Sequence, residues 1–254
     1  MTNVGIVTQA RVTSSRLPGK VLLKAEGKTM LEHHLHRLSD AGQPVIVATT
    51  VNDTDDPIVR LCEAVGVGVY RGSENDVLSR YVGAAEAFGL DTIVRVTSDC
   101  PLIDGTVVAT GISTYLAASD PWVFVSNTVE RTFPRGMDFE IFSTMALLEA
   151  NVQATELYQR EHVTPYLYEW HDRRERSLSI LHEPDYSAYR LTLDTDEDLL
   201  LLRTLIENFG AERLSTDGIV AVLSENPNLI AINQAVRQKP TKDSCVAPDS
   251  STLN

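Results

Sequence analysis

Along the first 120 positions, short apolar runs alternate with stretches of helical periodicity. Val4–Gln9 (VGIVTQ) reads as a buried strand, and Leu31, Leu35 and Leu38 recur at helical spacing between Met30 and Asp40. Thr29 and Glu32 form a T-x-x-E capping box at the start of that helix. Val45–Thr49 predicts the next strand. Asp56 before Pro57 predicts an N-cap and a first helical position, with Ile58, Leu61, Cys62 and Val65 on one face and Gly66 at the end. Val67–Arg71 is a third strand; Ser73 and Asp76 open a helix carrying Val77, Leu78, Tyr81, Ala84, Ala85 and Phe88 as far as Gly89. Thr92–Thr97 is a fourth strand, followed by a Ser-Asp-Cys-Pro turn and a helix from Asp104 to Ser119. Strands apolar on both faces and alternating with helices predict a parallel sheet covered on both sides, an α/β architecture.

After Pro121 the rhythm changes. Strands are expected at Trp122–Ser126, Met137–Phe142 and Leu178–Leu181, with a helical stretch interrupted at Pro165. Arg190–Asp194 (RLTLD) reads as a last strand, and helices are expected at Asp196–Phe209, Ser215–Glu225 and Asn228–Gln238. From Pro240 the chain is small, polar and proline-containing, so residues 240–254 are expected to be a flexible tail. No internal repeat is visible.

Composition narrows the class. The chain has 254 residues, 43% apolar and 22% charged, which is ordinary globular composition. A net charge of −13 gives no electrostatic reason to expect nucleic acid or an anionic membrane as partner. Three widely spaced cysteines (Cys62, Cys100, Cys245), with no apolar run long enough for a signal peptide or a membrane span, fit a cytoplasmic protein. The charge is unevenly placed, however: Arg11, Arg16, Lys20 and Lys24 precede the first acid, Glu26. A cationic island at the start of an acidic chain points to a small, highly charged anion, although four basic residues in a loop are also ordinary solvated surface.

Spacing favours the anion. Ala10-Arg11-x-x-Ser14-Ser15-Arg16-Leu17-Pro18-Gly19-Lys20 lies between the first strand and the first helix, at the carboxyl end of a strand where open α/β sheets bind ligands. Arg, Ser, Ser, Arg and Lys in a loop bent by Pro-Gly supply charges and donors to a triphosphate. Neither GxxxxGK[ST] nor GxGxxG is present, which excludes the common ATPase and dehydrogenase motifs. Asp99 follows one predicted strand and Asp194 ends another, so both carboxylates are expected to project from strand ends beside this loop. A turn or cap role for Asp99, and a helix N-cap role for Asp194, account for them equally simply. His33, His34 and His36 do not share one helix face and are read as surface.

The segment QARVTSSRLPGKVLLKAEGKTMLEH resembles the opening of cytidylyltransferases that activate acidic sugars. The likeness continues through YRGSENDVLSRY, VRVTSDCPLID, SNTVERTFPRGMDFEIF, REHVTPYLYE and YRLTLDTDEDLLLLR, covering about residues 4–205. The opening alone also fits 3-deoxy-manno-octulosonate and acylneuraminate cytidylyltransferases. The PRGMDFE and REHVTPY blocks are most similar to the spore-coat polysaccharide biosynthesis protein F group.

The resemblance implies a three-layer, Rossmann-like nucleotide-diphospho-sugar transferase fold related to GT-A glycosyltransferases, with a mostly parallel sheet. Residues 1–239 are then one nucleotidyltransferase domain, 1–120 its nucleotide-binding half and 121–239 its acceptor-binding and closing half. The implied reaction transfers CMP from CTP to a hydroxyl of an acidic sugar or sugar-like acid, with Mg²⁺ as cofactor, for surface polysaccharide or glycan synthesis. A homodimer is the expected assembly.

Arg11, Arg16 and Lys20 are the implied catalytic groups. Ala10, Ser14, Ser15, Arg71, Ser73, Asp76, Val77, Arg80 and Asp99 join them in binding nucleotide, although Ser73 and Asp76 also read as a capping pair. Asp99 and Asp194 are the implied metal ligands, with a contribution from Asp196 left open. Arg135, Asp138, Glu140, Glu161 and His162 are assigned to the acceptor side, Arg135 as the carboxylate-binding arginine and His162 as either a general base or a structural histidine. Thr8 and Thr13 depart from the aliphatic residue and glycine common in relatives, and Thr13 narrows the phosphate loop. Two rival readings are a GT-A-type glycosyltransferase using Asp194-Thr195-Asp196 as a metal triplet and a non-catalytic nucleotide-binding regulator.

Overall fold

The computed structural model describes residues 2–169 and 176–238. Its strands are β1 (Val4–Gln9), β2 (Lys24–Ala25), β3 (Lys28–Thr29), β4 (Val45–Thr50), β5 (Gly68–Gly72), β6 (Thr92–Thr97), β7 (Phe124–Ser126), β8 (Glu140–Ser143) and β9 (Ser177–Ser179). The helices are α1 (Met30–Ser39), α2 (Asp56–Val65), α3 (Val77–Ala87), α4 (Gly105–Ala118), α5 (Thr144–Gln153), α6 (Leu157–His162), α7 (Pro165–Glu169), α8 (Asp196–Phe209), α9 (Thr216–Glu225) and α10 (Pro227–Asn233). Seven strands form one sheet in the order β5-β4-β1-β6-β8-β7-β9, and β2 and β3 make a separate hairpin. Only β8 runs against its neighbours, so the sheet is mostly parallel as expected.

Alternation along the strands sends side chains into layers on either face. Val7, Ile46 and Ile93 pack against Leu78 and Tyr81 of α3 and Leu147 of α5. Ile6 and Val94 face the other way, toward Leu38 of α1 and Ile112 of α4. A further core beneath α8, α9 and α10 gathers Leu191, Leu193, Leu202 and Ile219. Among the described residues no helix is long and apolar enough to cross a membrane.

The caps follow from local chemistry. The Thr29–Glu32 capping box at α1 is formed as predicted. At α2 the N-cap is Asp55, not Asp56. The buried Asp55 carboxylate instead accepts from Val12 N, Thr50 N and Thr50 Oγ1, tying the first loop to the end of β4. Asp104 caps α4 and also accepts from the backbone and hydroxyl of Thr216, which joins α9 to α4.

Three expectations need correction. Arg190–Asp194 is extended but forms only an isolated bridge, Arg135 to Arg190. Its alternating burial of Leu191 and Leu193 imitates a strand, while its hydrogen bonds go to the Arg135 carbonyl and the Asp99 turn. His33 and His34 are buried, not surface: His33 meets the Ala25 carbonyl at 3.0 Å, and His34 lies between Thr8 and Cys100. The last helix ends at Asn233 rather than Gln238. The tail expected to be flexible from residue 240, and Cys245 within it, lie outside the described residues.

Candidate active site

In the sheet, β1 has β4 on one side and β6 on the other, so the chain reverses its direction of winding between β1 and β6. The carboxyl ends of strands at such a reversal open onto a crevice. Here the loop after β1, the turn after β6 and the segment 190–194 surround a cleft of about 640 Å³. That volume is within the range of small-molecule sites. Six cationic side chains line it (Arg11, Arg16, Lys20, Arg80, Arg95, Arg135) beside five acidic ones (Glu74, Asp99, Asp138, Glu161, Asp194). In a chain of net charge −13 this lining is locally cationic.

The centre of the cleft is an ionic cluster. Lys20 follows Gly19, whose φ of 68° turns the loop back toward the sheet. The Lys20 ammonium donates to Asp99 Oδ2 at 3.0 Å and to Asp194 Oδ1 at 2.9 Å. Arg16 reaches the same Asp194 oxygen at 2.9 Å, and Arg190 holds the other at 3.0 Å. Burial works against the charged form of Lys20, but the two carboxylates outweigh it and hold its pKa above the ordinary lysine value. Burial likewise opposes ionisation of Asp99, yet Lys20 and the Thr97 hydroxyl keep its pKa below the usual carboxylate range.

The backbone brings these groups together. Leu193 N donates to the Asp99 carbonyl at 2.8 Å, and Thr192 Oγ1 meets the same oxygen at 3.2 Å. Leu191 N donates to the Arg135 carbonyl at 2.6 Å, which lays the segment against Gly136. Gly136 has φ +97°, and a Cβ there would lie 2.5 Å from the Leu191 carbonyl, so this crossing requires glycine. Asp198, fully buried, then fixes Asp194 by accepting from its backbone N–H and from Thr195 N, Arg190 and Asn233. The helix N-cap is Thr195, which leaves the Asp194 carboxylate free of that role.

Of the residues singled out from sequence, the cleft brings together Ala10, Arg11, Ser14, Ser15, Arg16, Lys20, Val77, Arg80, Asp99, Arg135, Asp138, Glu161, His162 and Asp194. Arg71, Ser73, Asp76 and Glu140 are not in the lining. Arg71 is turned away because its guanidinium donates to the Thr50 and Asn52 carbonyls and to Asp56. Asp76 caps α3 by accepting from Ser79 N and pairs with Arg160, whereas Ser73 is not a cap: its Oγ accepts from Asp76 N in the turn before the helix. Glu140 is buried against Arg95 and accepts from Thr164 Oγ1 at 2.8 Å. Asp138 lies in the lining with its carboxylate held by both Arg131 terminal nitrogens, at 2.6 and 2.9 Å. Asp196 is exposed in the first turn of α8 and lies outside the lining.

Several groups were not legible beforehand. Glu74 accepts from Thr13 Oγ1 at 2.6 Å, from Arg11 at 3.3 Å and from Asn52 at 2.6 Å, clamping the first loop to the loop after β5. Thr13 is therefore an anchoring residue in this chain. Arg95 and Gln9 contribute to the cleft floor from adjacent strands. By contrast, no hydrogen bond or ion pair of the Arg135 guanidinium is present among the described residues. Burial first, then Arg131, and less strongly Arg190, lower its pKa against the opposing pull of Asp138.

Comparison with known proteins places this geometry. The family model described as Cytidylyltransferase matches residues 4–218. An uncharacterised protein of Methanocaldococcus jannaschii is 38% identical over 245 residues, covering 94% of this chain and 98% of its own. The spore coat polysaccharide biosynthesis protein SpsF of Bacillus subtilis is 29% identical over 246 residues, covering 92% and 100%. The solved structure of a cytidylyltransferase from Leptospira borgpetersenii aligns with a TM-score of 0.87 at 38% identity, covering 94% of this chain and 100% of that one. A CMP:2-keto-3-deoxy-manno-octonic acid synthetase complexed with CTP shares the fold, with a TM-score of 0.57 at 20% identity over 81% of this chain and 98% of that one.

Proposed function

The chain belongs to the cytidylyltransferase family, and from that premise we propose that it transfers CMP from CTP to a hydroxyl of a carboxylate-bearing sugar or sugar-like acid. The observation that carries this reading is the convergence of Lys20, Arg16, Asp99 and Asp194 in one cleft that also presents Arg135, whose guanidinium pairs with none of the described residues. In the reaction the acceptor oxygen forms a bond to the α-phosphorus, the bond to the β-phosphate oxygen breaks, and pyrophosphate leaves. The hydroxyl proton passes to a base, for which His162 in the lining is the candidate. No covalent enzyme intermediate is needed, because positioning and charge stabilisation suffice for such a displacement.

Arg11, Arg16 and Lys20 neutralise the triphosphate and the developing charge on pyrophosphate. Ser14 and Ser15 line the same loop and offer hydroxyl donors. Arg80 and Val77 form the wall where the base would rest. Asp99 and Asp194 converge on a single cation, the Lys20 ammonium. Among the described residues no group of three or more His, Cys, Asp or Glu could hold a metal ion by itself, and two carboxylates fit a Mg²⁺ completed by phosphate oxygens and water. Bound so, Mg²⁺ would polarise the α-phosphate and neutralise charge on the leaving group. Arg135 would grip the acceptor carboxylate in a two-pronged way. Similarity to a spore coat polysaccharide biosynthesis protein supports a product destined for surface glycan.

The test is incubation with CTP, Mg²⁺ and a panel of nonulosonic acids and other sugar acids, reading pyrophosphate release and the mass of a CMP adduct. Stoichiometric pyrophosphate and adduct with one acid support the proposal. Adducts formed equally with uncharged sugars, or none with any acid, would contradict it.

A further inference from the structure

The ionic cluster closes on itself. Asp99, Asp194 and Asp198 face Lys20, Arg16 and Arg190, joined by contacts of 3.0 and 2.9 Å from Lys20, 2.9 Å from Arg16, and 3.0 and 2.8 Å from Arg190. Three carboxylates against three cations leave no net charge. A bare divalent cation therefore finds no charge deficit here, while its approach to an ammonium and two guanidiniums in a partly dry cleft is repulsive. Mg²⁺ also sheds water reluctantly. A nucleoside triphosphate alters the balance, since its phosphates bring negative charge to the loop that carries Lys20.

The attachments of the partners differ. Asp99 and Asp194 are held by backbone contacts, Leu193 N to the Asp99 carbonyl at 2.8 Å and Asp194 N to Asp198 at 3.0 Å. Arg190 is pinned from two sides, by Asp198 and Gln238. Lys20 reaches the carboxylates from a flexible four-carbon stem, a compact charge easily moved from one set of oxygens to another.

We propose that Lys20 is a resident counterion that keeps the Asp99–Asp194 pair closed to divalent cations until a nucleoside triphosphate draws its ammonium away, so that metal and nucleotide enter together. The inference rests on the metal role given to Asp99 and Asp194 above. It makes Lys20 a gate as well as a phosphate-binding group.

Mn²⁺ binding to the full chain, followed by water-proton relaxation, tests this. Without nucleotide, wild type should bind Mn²⁺ poorly. Lys20→Met should bind it about tenfold or more tightly, because Asp99 loses its cationic partner and Asp194 loses one of three. Adding Asp99→Asn to Lys20→Met should abolish the gain. Thermal melts establish that each variant is folded, and Lys20→Gln repeats the measurement if Lys20→Met is not. Equal Mn²⁺ affinity of wild type and the folded Lys20 variant would overturn the gate. Were Asp99→Asn still to weaken Mn²⁺ binding in the CTP-loaded enzyme, the metal assignment would stand and only the gate would fall. No effect of Asp99→Asn in that CTP-loaded state would remove the metal site and the gate together.

Discussion

Thr8 Oγ1 lies 2.9 Å from His34 Nε2 in the fully buried core beneath the cleft. The other ring nitrogen meets the Cys100 carbonyl at 2.8 Å. A carbonyl only accepts, so Nδ1 carries the proton and Nε2 accepts from Thr8. Thr8 also contacts Ser98 at 2.9 Å, and the chain of contacts therefore spans both sides of Asp99. The threonine that looked like a departure from relatives is the hydroxyl this histidine requires.

Burial holds the His34 pKa down at about 4, against an ordinary 6.5. Between these values the unfolded chain binds a proton that the folded chain refuses, so stability is complete above pH 6.5, falls as pH drops toward 4, and levels below. The whole step is about 3 kcal/mol. Urea unfolding at pH 7 and pH 4.5 checks it: wild type should lose more stability over that range than His34→Gln. Equal losses would show that the histidine is not the sensitive group.

Gly136→Ala should disable the site more than the fold. The new methyl meets the Leu191 backbone in a conformation that already disfavours side chains, and relief requires the 190–194 segment to move. Asp194 moves with it. The expected result is a folded protein whose CTP affinity falls about tenfold or more, following the misplaced Asp194. Wild-type CTP affinity in this variant, measured by calorimetry, would show that the crossing does not position the carboxylate.

Arg135→Ala should separate the two substrates. Arg135 is distant in role from the Lys20 loop, so CTP affinity should stay near wild type. The acceptor KM should rise roughly 10- to 100-fold, the range of a charged hydrogen bond lost to a carboxylate. Steady-state kinetics on the acid identified by the screen decides this. A loss in CTP affinity with an unchanged acceptor KM would place Arg135 on the nucleotide instead.

Much of this site was legible in the sequence because its signals are local. The RLPGK loop, Asp99 at a strand end and the alternating βα pattern each need only a few neighbouring residues to be read. What was hidden depends on distant partners. Arg71 looks free beside a candidate base-binding turn, and only the fold reveals the Thr50 and Asn52 carbonyls and Asp56 that hold it. Asp198 closes the capping box of α8 with Thr195 and also supports Asp194, a role that arises across a turn and through Arg190. His34 falls on a polar-looking helix and is buried because Thr8, on β1, supplies the matching donor. Arg190–Asp194 has the alternation of a strand, since packing over the α8–α10 core demands the same spacing whether or not a neighbouring strand is present.

The most direct test of the account is the thermal stability of the purified protein against CTP, GTP, ATP and UTP, each with and without Mg²⁺. A ligand that binds only the native state raises the melting temperature by mass action. The expected result is a rise selective for CTP and larger when Mg²⁺ is present. Equal rises with all four nucleotides, or none with any, would contradict it.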